Sequence, residues 1–202
     1  MNKNFENSLP ENYSLALHID SKNKKTGLIF NLCSVVIAIV VAVALILPRG
    51  FSFDEFMKKL SEGGEGKMIL RYLVFIASMI LYMVLHEIVH GIAYKCLTHQ
   101  KLTFGMSWSC AFCGVPNIYV YRRTAMISLI MPFAVFSAVY GALIAAFAGD
   151  IVLYSMLSLL FALHLGGCIC DVYTFVLFMF KYKDKAILMR DTGPEQFLYV
   201  KQ

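Results

Sequence analysis

Five consecutive residues, His86-Glu87-Ile88-Val89-His90, have the types and the spacing of a zinc site. Positions i and i+4 of a helix lie one turn apart on one face, so His86 and His90 can both direct an imidazole at one Zn²⁺ ion. Glu87 projects beside that metal, where its carboxylate could take a proton from zinc-bound water and pass it to a leaving amine. The segment therefore predicts a hydrolytic centre with His86 and His90 as metal ligands and Glu87 as the general base.

A catalytic zinc usually has three protein ligands, and Asp171 is the best candidate for the third. Of the thirteen acidic residues, only Glu87 and Asp171 lie well inside long apolar segments, where an uncompensated carboxylate costs at least a few kcal/mol. At 1.5 Å per helical residue, the histidines lie roughly 7 to 14 Å from the helix end near Lys95. Asp171 lies about 15 Å from the helix end near Lys181, which is a similar depth.

His164 is the alternative third ligand. Residues 164, 168 and 171 share one helix face, with Cys168 between the two candidates. If His164 does not bind the metal, the simplest role for it is a hydrogen bond that orients a ligand.

The positioning elements are apolar helices. The chain of 202 residues is 59% hydrophobic and 15% charged, with a mean hydropathy of +0.67, whereas a soluble domain carries about 25% charged residues. A membrane span needs roughly 20 apolar residues, and four stretches qualify: 28–47, 68–94, 124–148 and 151–180. The last is too long for one straight span, so we expect it to tilt, protrude or break near Gly166 and Gly167.

These spans predict an all-α polytopic membrane protein with about four transmembrane helices. Residues 1–26 form a polar N-terminal segment, mobile or lying on the surface, 27–182 form the four-span domain, and 183–202 form a tail with two possible strands. Between the second and third spans, LTFGMSW and NIYVY are rich in β-branched and aromatic residues and flank the turn signal CAFCGVP. This pattern predicts a short β-hairpin or a re-entrant loop over 102–121. An exposed strand edge there could hold an extended peptide by β-augmentation.

The basic residues predict the orientation. If both termini are cytoplasmic, 13 of the 18 Lys and Arg residues lie on the cytoplasmic side, as the positive-inside rule favours. The first apolar run lacks a small-residue cleavage site, so we expect it to remain as a membrane anchor. We expect the protein to lie in the plasma membrane of a prokaryote. The net charge of +5 is explained by these loops and requires no nucleic-acid partner.

Cys110 and Cys113 form a CxxC in the loop that follows the second span. Such a pair could be half of a zinc knuckle or a redox pair. Because no second CxxC exists and the predicted side is reducing, ordinary packing in the loop is favoured over both roles.

Three segments resemble a known family: LHEIVHGIAYK, then FGMSWSCAFCGVPNIYVYRRTAMISLIMP, then GGCICD at 166–171. They are similar to the putative zincin peptidases, formerly a domain of unknown function, and more distantly to the site-2 class of intramembrane metalloproteases. The resemblance implies a zinc peptidase and, from the site-2 class, an aspartate third ligand in a later span, which falls on Asp171. GGCICD stands where that class has an NPxDG-type sequence.

The leading functional prediction is a membrane-embedded zinc metalloendopeptidase that hydrolyses a peptide bond within or near the membrane. Its partners would be the lipid bilayer and a membrane protein or peptide substrate. The alternative is a catalytically silent membrane protein that binds metal or a protein partner through the same helices. Intact His86, Glu87 and His90 favour the enzyme, because a silent protein has no chemical need for Glu87.

Overall fold

The computed structural model describes residues 3–106 and 111–202 of the chain. These residues contain six α-helices: α1 (Lys24–Ile46), α2 (Phe53–Leu60), α3 (Glu65–Thr98), α4 (Arg122–Ala146), α5 (Ile151–Gly167) and α6 (Ile169–Val176). A short 3₁₀ turn, Leu47–Arg49, follows α1, and a π-helical turn, Leu177–Lys181, continues α6.

The helices agree with the predicted apolar stretches. By length and composition, α1, α3 and α4 could each cross a membrane, and α5 with the stretch Ile169–Lys181 makes a fourth if the pair is one span. The Asp150 carboxylate caps the start of α5 by accepting hydrogen bonds from the N–H groups of Val152 and Leu153. The expected break is confirmed, because α5 ends at Gly167, after two glycines of low helix propensity.

A five-stranded sheet corrects the all-α expectation. Its order is β1-β5-β6-β7-β2 and every pair in it is antiparallel. The strands are β1 (Phe5–Glu6), β2 (Tyr13–Asp20), β5 (Tyr119–Tyr121), β6 (Ile187–Asp191) and β7 (Glu195–Lys201). The N-terminal segment therefore provides two paired strands. In YSLALHID, apolar and polar residues alternate: Ile19 is buried and Leu17 packs against the core, whereas Leu15 is 54% exposed next to a bulge between Leu15 and Leu17.

The two strands expected in the tail are confirmed as β6 and β7. Gly193 occupies the turn between them with a φ of 98°, a conformation that glycine adopts at little cost. Ile187, Leu188 and Met189 are all buried, as expected for a strand covered on both faces.

A separate two-stranded sheet follows α3, so a hairpin lies in the predicted region, but its second strand is not the predicted one. Strands β3 (Thr103–Met106) and β4 (Ala111–Gly114) are antiparallel, with Phe104 opposite Cys113. The predicted turn, residues 110–116, contains β4, and the predicted second strand, residues 117–121, contains β5 of the five-stranded sheet. Their connection, residues 107–110, lies outside the described residues, as does Cys110 of the CxxC.

The chain divides into two compact units by its internal contacts. Unit 1 comprises residues 1–32, 85–132 and 169–202, and unit 2 comprises 33–84 and 133–168. The core of unit 1 joins the sheet to the ends of the helices, with Tyr94 of α3, Leu129 of α4 and Phe178 packed together with Val120 and Leu198. In unit 2, α1 and α5 approach so closely that a Cβ on Gly166 would lie 2.5 Å from the carbonyl oxygen of Ser34.

Candidate metal centre

Helix α3 presents His86 and His90 on one buried face, one turn apart. The side chains are 8% and 7% exposed, and their ring centroids lie 4.9 Å apart. Gly91 follows directly, and a Cβ there would lie 2.7 Å from the ring of Phe104. The missing side chain therefore lets β3 pack against α3 next to the histidines.

Asp171 of α6 lies directly opposite the two imidazoles. Its Oδ2 atom is 3.5 Å from Nε2 of His86 and 3.2 Å from Nε2 of His90. One atom from each of the three residues lies within 4.8 Å of the other two. Two ligands that are each about 2 Å from a tetrahedral zinc lie about 3.3 Å apart. The separations and the donor types, two imidazole nitrogens and one carboxylate, therefore fit zinc.

The carbonyl oxygen of Ser128 orients His90. It lies 2.8 Å from Nδ1 of the imidazole, in a buried position on α4. Because Nδ1 donates its proton to this carbonyl, Nε2 is the nitrogen of His90 that faces Asp171 and that would bind a metal ion between them. The sequence did not reveal this partner, because a backbone carbonyl leaves no signal in residue type.

Glu87 directly follows His86 on α3, and its side chain is half-buried. Its carboxylate accepts a hydrogen bond from the backbone N–H of Cys113 in β4. The hairpin therefore orients the general-base candidate and lies next to it. The Cys113 side chain is buried, and burial raises the pKa of its thiol to about 12. A neutral buried thiol agrees with packing rather than with a thiolate role.

A second buried pair, Tyr94 and Asp191, lies one helical turn beyond His90. The Tyr94 hydroxyl donates to Oδ2 of Asp191 at 2.6 Å, and the N–H of Gly193 donates to Oδ1 at 2.9 Å. Burial raises the pKa of Asp191 to about 6 despite these two donors. This pair attaches the end of α3 to the turn between β6 and β7, and it was not predicted from sequence.

We expect Tyr94→Phe to lower the free energy of unfolding by about 1–3 kcal/mol at pH 8, because the ionised Asp191 then loses a buried donor. At pH 5, below the raised pKa of Asp191, the protonated carboxyl needs that donor less, so the cost should be smaller. Thermal unfolding of zinc-free protein in detergent at both pH values measures the difference.

The matched control is Tyr173→Phe, which removes a hydroxyl from a side chain that is 41% exposed.

In the wild type, the contribution of Asp191 to stability is fully present below its unfolded pKa of about 3.9 and is lost as the pH rises through about 6. A Tyr94→Phe cost that is equal at pH 5 and pH 8 would contradict this assignment.

His164 is fully buried within unit 2, and both of its ring nitrogens have hydrogen-bond partners there. The Tyr82 hydroxyl lies 2.8 Å from Nδ1, and the Ser137 hydroxyl lies 3.2 Å from Nε2. The surrounding rings belong to Tyr82, Phe133, Phe136, Tyr140 and Phe161. Asp171 contacts both His86 and His90, and it remains our candidate for the third ligand, with His164 as the alternative.

Comparison of the chain with curated proteins gives no match, and comparison with solved structures gives none either. The profile of one family, described as "Putative zincin peptidase", matches residues 79–187, more than half of the chain. The matched region contains the HEIVH segment, β3 to β5, α4, α5 and α6. Zinc is the cofactor that this family implies. The chain therefore belongs to the putative zincin peptidase family of zinc metallopeptidases.

Proposed function

We propose that this protein is a membrane-embedded zinc metalloendopeptidase that cleaves a peptide bond within or near the membrane. His86, His90 and Asp171 hold the zinc, and Glu87 is the general base. The observation that carries the proposal is the convergence of two Nε2 atoms and one carboxylate oxygen within 4.8 Å, beside a carboxylate held by the hairpin.

The side chains of the centre divide the chemistry between them. Zinc, when bound, supplies the Lewis acid that activates water and polarises the scissile carbonyl. Glu87 takes the proton from the attacking water and delivers it to the departing amine nitrogen, so one carboxylate acts first as base and then as acid. The Cys113 N–H fixes the direction of that carboxylate, and the Ser128 carbonyl fixes the ring of His90.

The hairpin offers a place for an extended substrate. The Cys113 N–H donates to Glu87, so this side of β4 lies next to the general-base candidate. A peptide that added to this side of β4 would lie next to the general base, held by backbone hydrogen bonds as in β-augmentation. This supports a substrate segment that is extended, not helical, at the cleaved bond.

Exposed apolar side chains support the placement in a membrane. Large hydrophobic residues are exposed along α1 and α3, for example Ile39 at 58%, Val40 at 60% and Ile80 at 55%. Exposure of apolar faces of this extent to water is unfavourable, whereas the hydrocarbon core of a bilayer solvates them.

The five-stranded sheet supports a common side for three segments of the chain. It pairs β1 and β2, which precede α1, with β5, which precedes α4, and with β6 and β7, which follow α6. Paired strands must lie on the same side of a bilayer. Together with the basic residues, this favours both termini in the cytoplasm, and we propose the plasma membrane of a prokaryote as the location.

Reporter fusions at Lys25, Gly63, Lys101 and Lys185 are expected to read inside, outside, inside and inside. The order follows from four spans with the sheet on the cytoplasmic face. Paired reporters, one active only outside and one only inside, measure each position. An outside reading at Lys101 would invert the arrangement and place the end of α3 on the opposite face.

The proposal is tested by incubating the purified zinc-loaded protein in detergent with a library of membrane-protein segments, next to protein stripped by a chelator. We expect cleavage that disappears with the metal and returns when zinc is added. Stoichiometric zinc without cleavage of any segment would favour the alternative, a silent membrane protein that binds metal.

A further inference from the structure

An open groove of about 360 Å³ runs along α4 toward α6 within unit 1. None of the proposed metal ligands lines it, and its lining residues are Arg122, Arg123, Met126, Ile127, Ile130 and Phe175. Its volume is within the range of about 300–1,000 Å³ that is usual for small-molecule sites. The lining has two chemistries, with guanidinium groups at one end and apolar side chains along the rest.

The polar end of the groove is strongly basic. The Arg122 guanidinium donates to the backbone carbonyl of Lys183, which keeps it half-buried at the rim, while Arg123 is exposed. Lys181, Lys183 and Lys185 follow in the adjoining segment, whose sole acidic residue is Asp184. The nearby Glu6 carboxylate already accepts from Lys3 and Tyr121.

The apolar end lies deeper along the same helices. Met126 and Ile130 are four and eight residues beyond Arg122, which places them about 6 and 12 Å further along α4. Phe175 precedes Lys181 by six residues, about 9 Å along its own helix. Cations at the helix ends with an apolar channel behind them match the order of headgroup and acyl chain in a phospholipid.

We propose that this groove binds one anionic glycerophospholipid from the surrounding bilayer. Its phosphate lies at Arg122 and Arg123, and an acyl chain follows Met126, Ile127 and Ile130 to Phe175. Charge complementarity selects an anionic headgroup over a zwitterionic one, because two arginines line the groove and the segment 181–185, which Arg122 contacts, carries three lysines and one aspartate. The inference rests on the membrane-embedded part of the proposed function and not on its peptidase part.

The test uses the full-length protein in detergent, titrated with phosphatidylglycerol or with phosphatidylcholine of the same acyl chains and followed by native mass spectrometry. We expect one phosphatidylglycerol to bind more tightly than phosphatidylcholine. Arg123→Gln should weaken the binding of phosphatidylglycerol about fivefold, which is the effect expected of one basic residue near a headgroup. Lys58→Gln, which removes an exposed cation from α2, should leave the affinity unchanged.

A second variant tests the apolar part without changing the charge. Ile127→Trp places a larger ring in the groove and should reduce retention of phosphatidylglycerol, while thermal unfolding confirms that the protein is folded. Glycerol 1-phosphate, which has the headgroup chemistry but no acyl chain, should not displace the lipid.

Three results would overturn the proposal: equal binding of the two lipids, equal losses in Arg123→Gln and Lys58→Gln, or displacement by glycerol 1-phosphate at the concentration of the lipid. The last result would identify a simple anion site. Glu87→Gln separates this proposal from the peptidase, because the variant should lose cleavage and still bind phosphatidylglycerol like the wild type.

Discussion

Glu87→Gln is expected to keep stoichiometric zinc and to reduce peptide cleavage by about 10²–10⁴-fold. The amide cannot accept a proton from water, whereas His86, His90 and Asp171 are untouched. The amide oxygen can still accept from the Cys113 N–H, so the hairpin should remain in place. Zinc analysis of the purified variant, combined with cleavage rates, measures both halves of this expectation.

The control for this variant is Glu65→Gln, because Glu65 is an exposed acid in the first turn of the same helix. It should retain both zinc and activity. If Glu87→Gln cleaves as fast as Glu65→Gln, Glu87 has no part in the reaction, and the metal site belongs to a protein that is silent as a peptidase.

Asp171→Asn should weaken zinc binding by more than about 100-fold and abolish cleavage. Loss of a residue that only supports a ligand costs about 10–100-fold in affinity, and loss of a direct ligand should cost more. The neutral amide also removes the one negative charge among the three proposed ligands. Competition against a chromophoric chelator measures the affinity of each purified variant.

His164→Ala is the comparator, and it should leave zinc largely in place. Asp184→Asn makes the same change of charge at an exposed aspartate, and it is therefore the control for Asp171→Asn. Thermal unfolding is needed for His164→Ala, because the change opens a cavity among five aromatic rings. If His164→Ala loses zinc and Asp171→Asn keeps it, His164 is the ligand and Asp171 only orients it.

The site residues that could be predicted from sequence are those that a short stretch of the chain is enough to identify. The spacing of His86 and His90 within one helix determines that their rings share a face. Asp171 was found because a carboxylate in an apolar helix is costly, and the structure places it within 3.5 Å of both imidazoles. The β-branched and aromatic residues after α3 indicated strands there, but not their pairing: β4 lies in the segment predicted as the turn, and β5 joins the five-stranded sheet.

The features that could not be predicted depend on contacts between residues that are far apart in the sequence. Strand β2 pairs with β7 across the length of the chain, with Tyr13 opposite Lys201, and no local pattern specifies that register. The polar composition of residues 1–26 predicts a segment that is mobile or lies on the surface, although apolar and polar residues alternate within β2. Tyr94 and Asp191 were missed for the same reason, since their contact requires the sheet to be in place.

The order of the strands has a consequence for biosynthesis. The inner strands β6 and β7 are translated after all six helices, and β1, β2 and β5 must wait for them before the sheet can close. Contacts of such long sequence separation form slowly. Because Asp171 also comes late in translation, the nascent chain holds His86 and His90 without their carboxylate partner. The cluster of His86, His90 and Asp171 is thus complete only once α6, the last of the six described helices, has been synthesised.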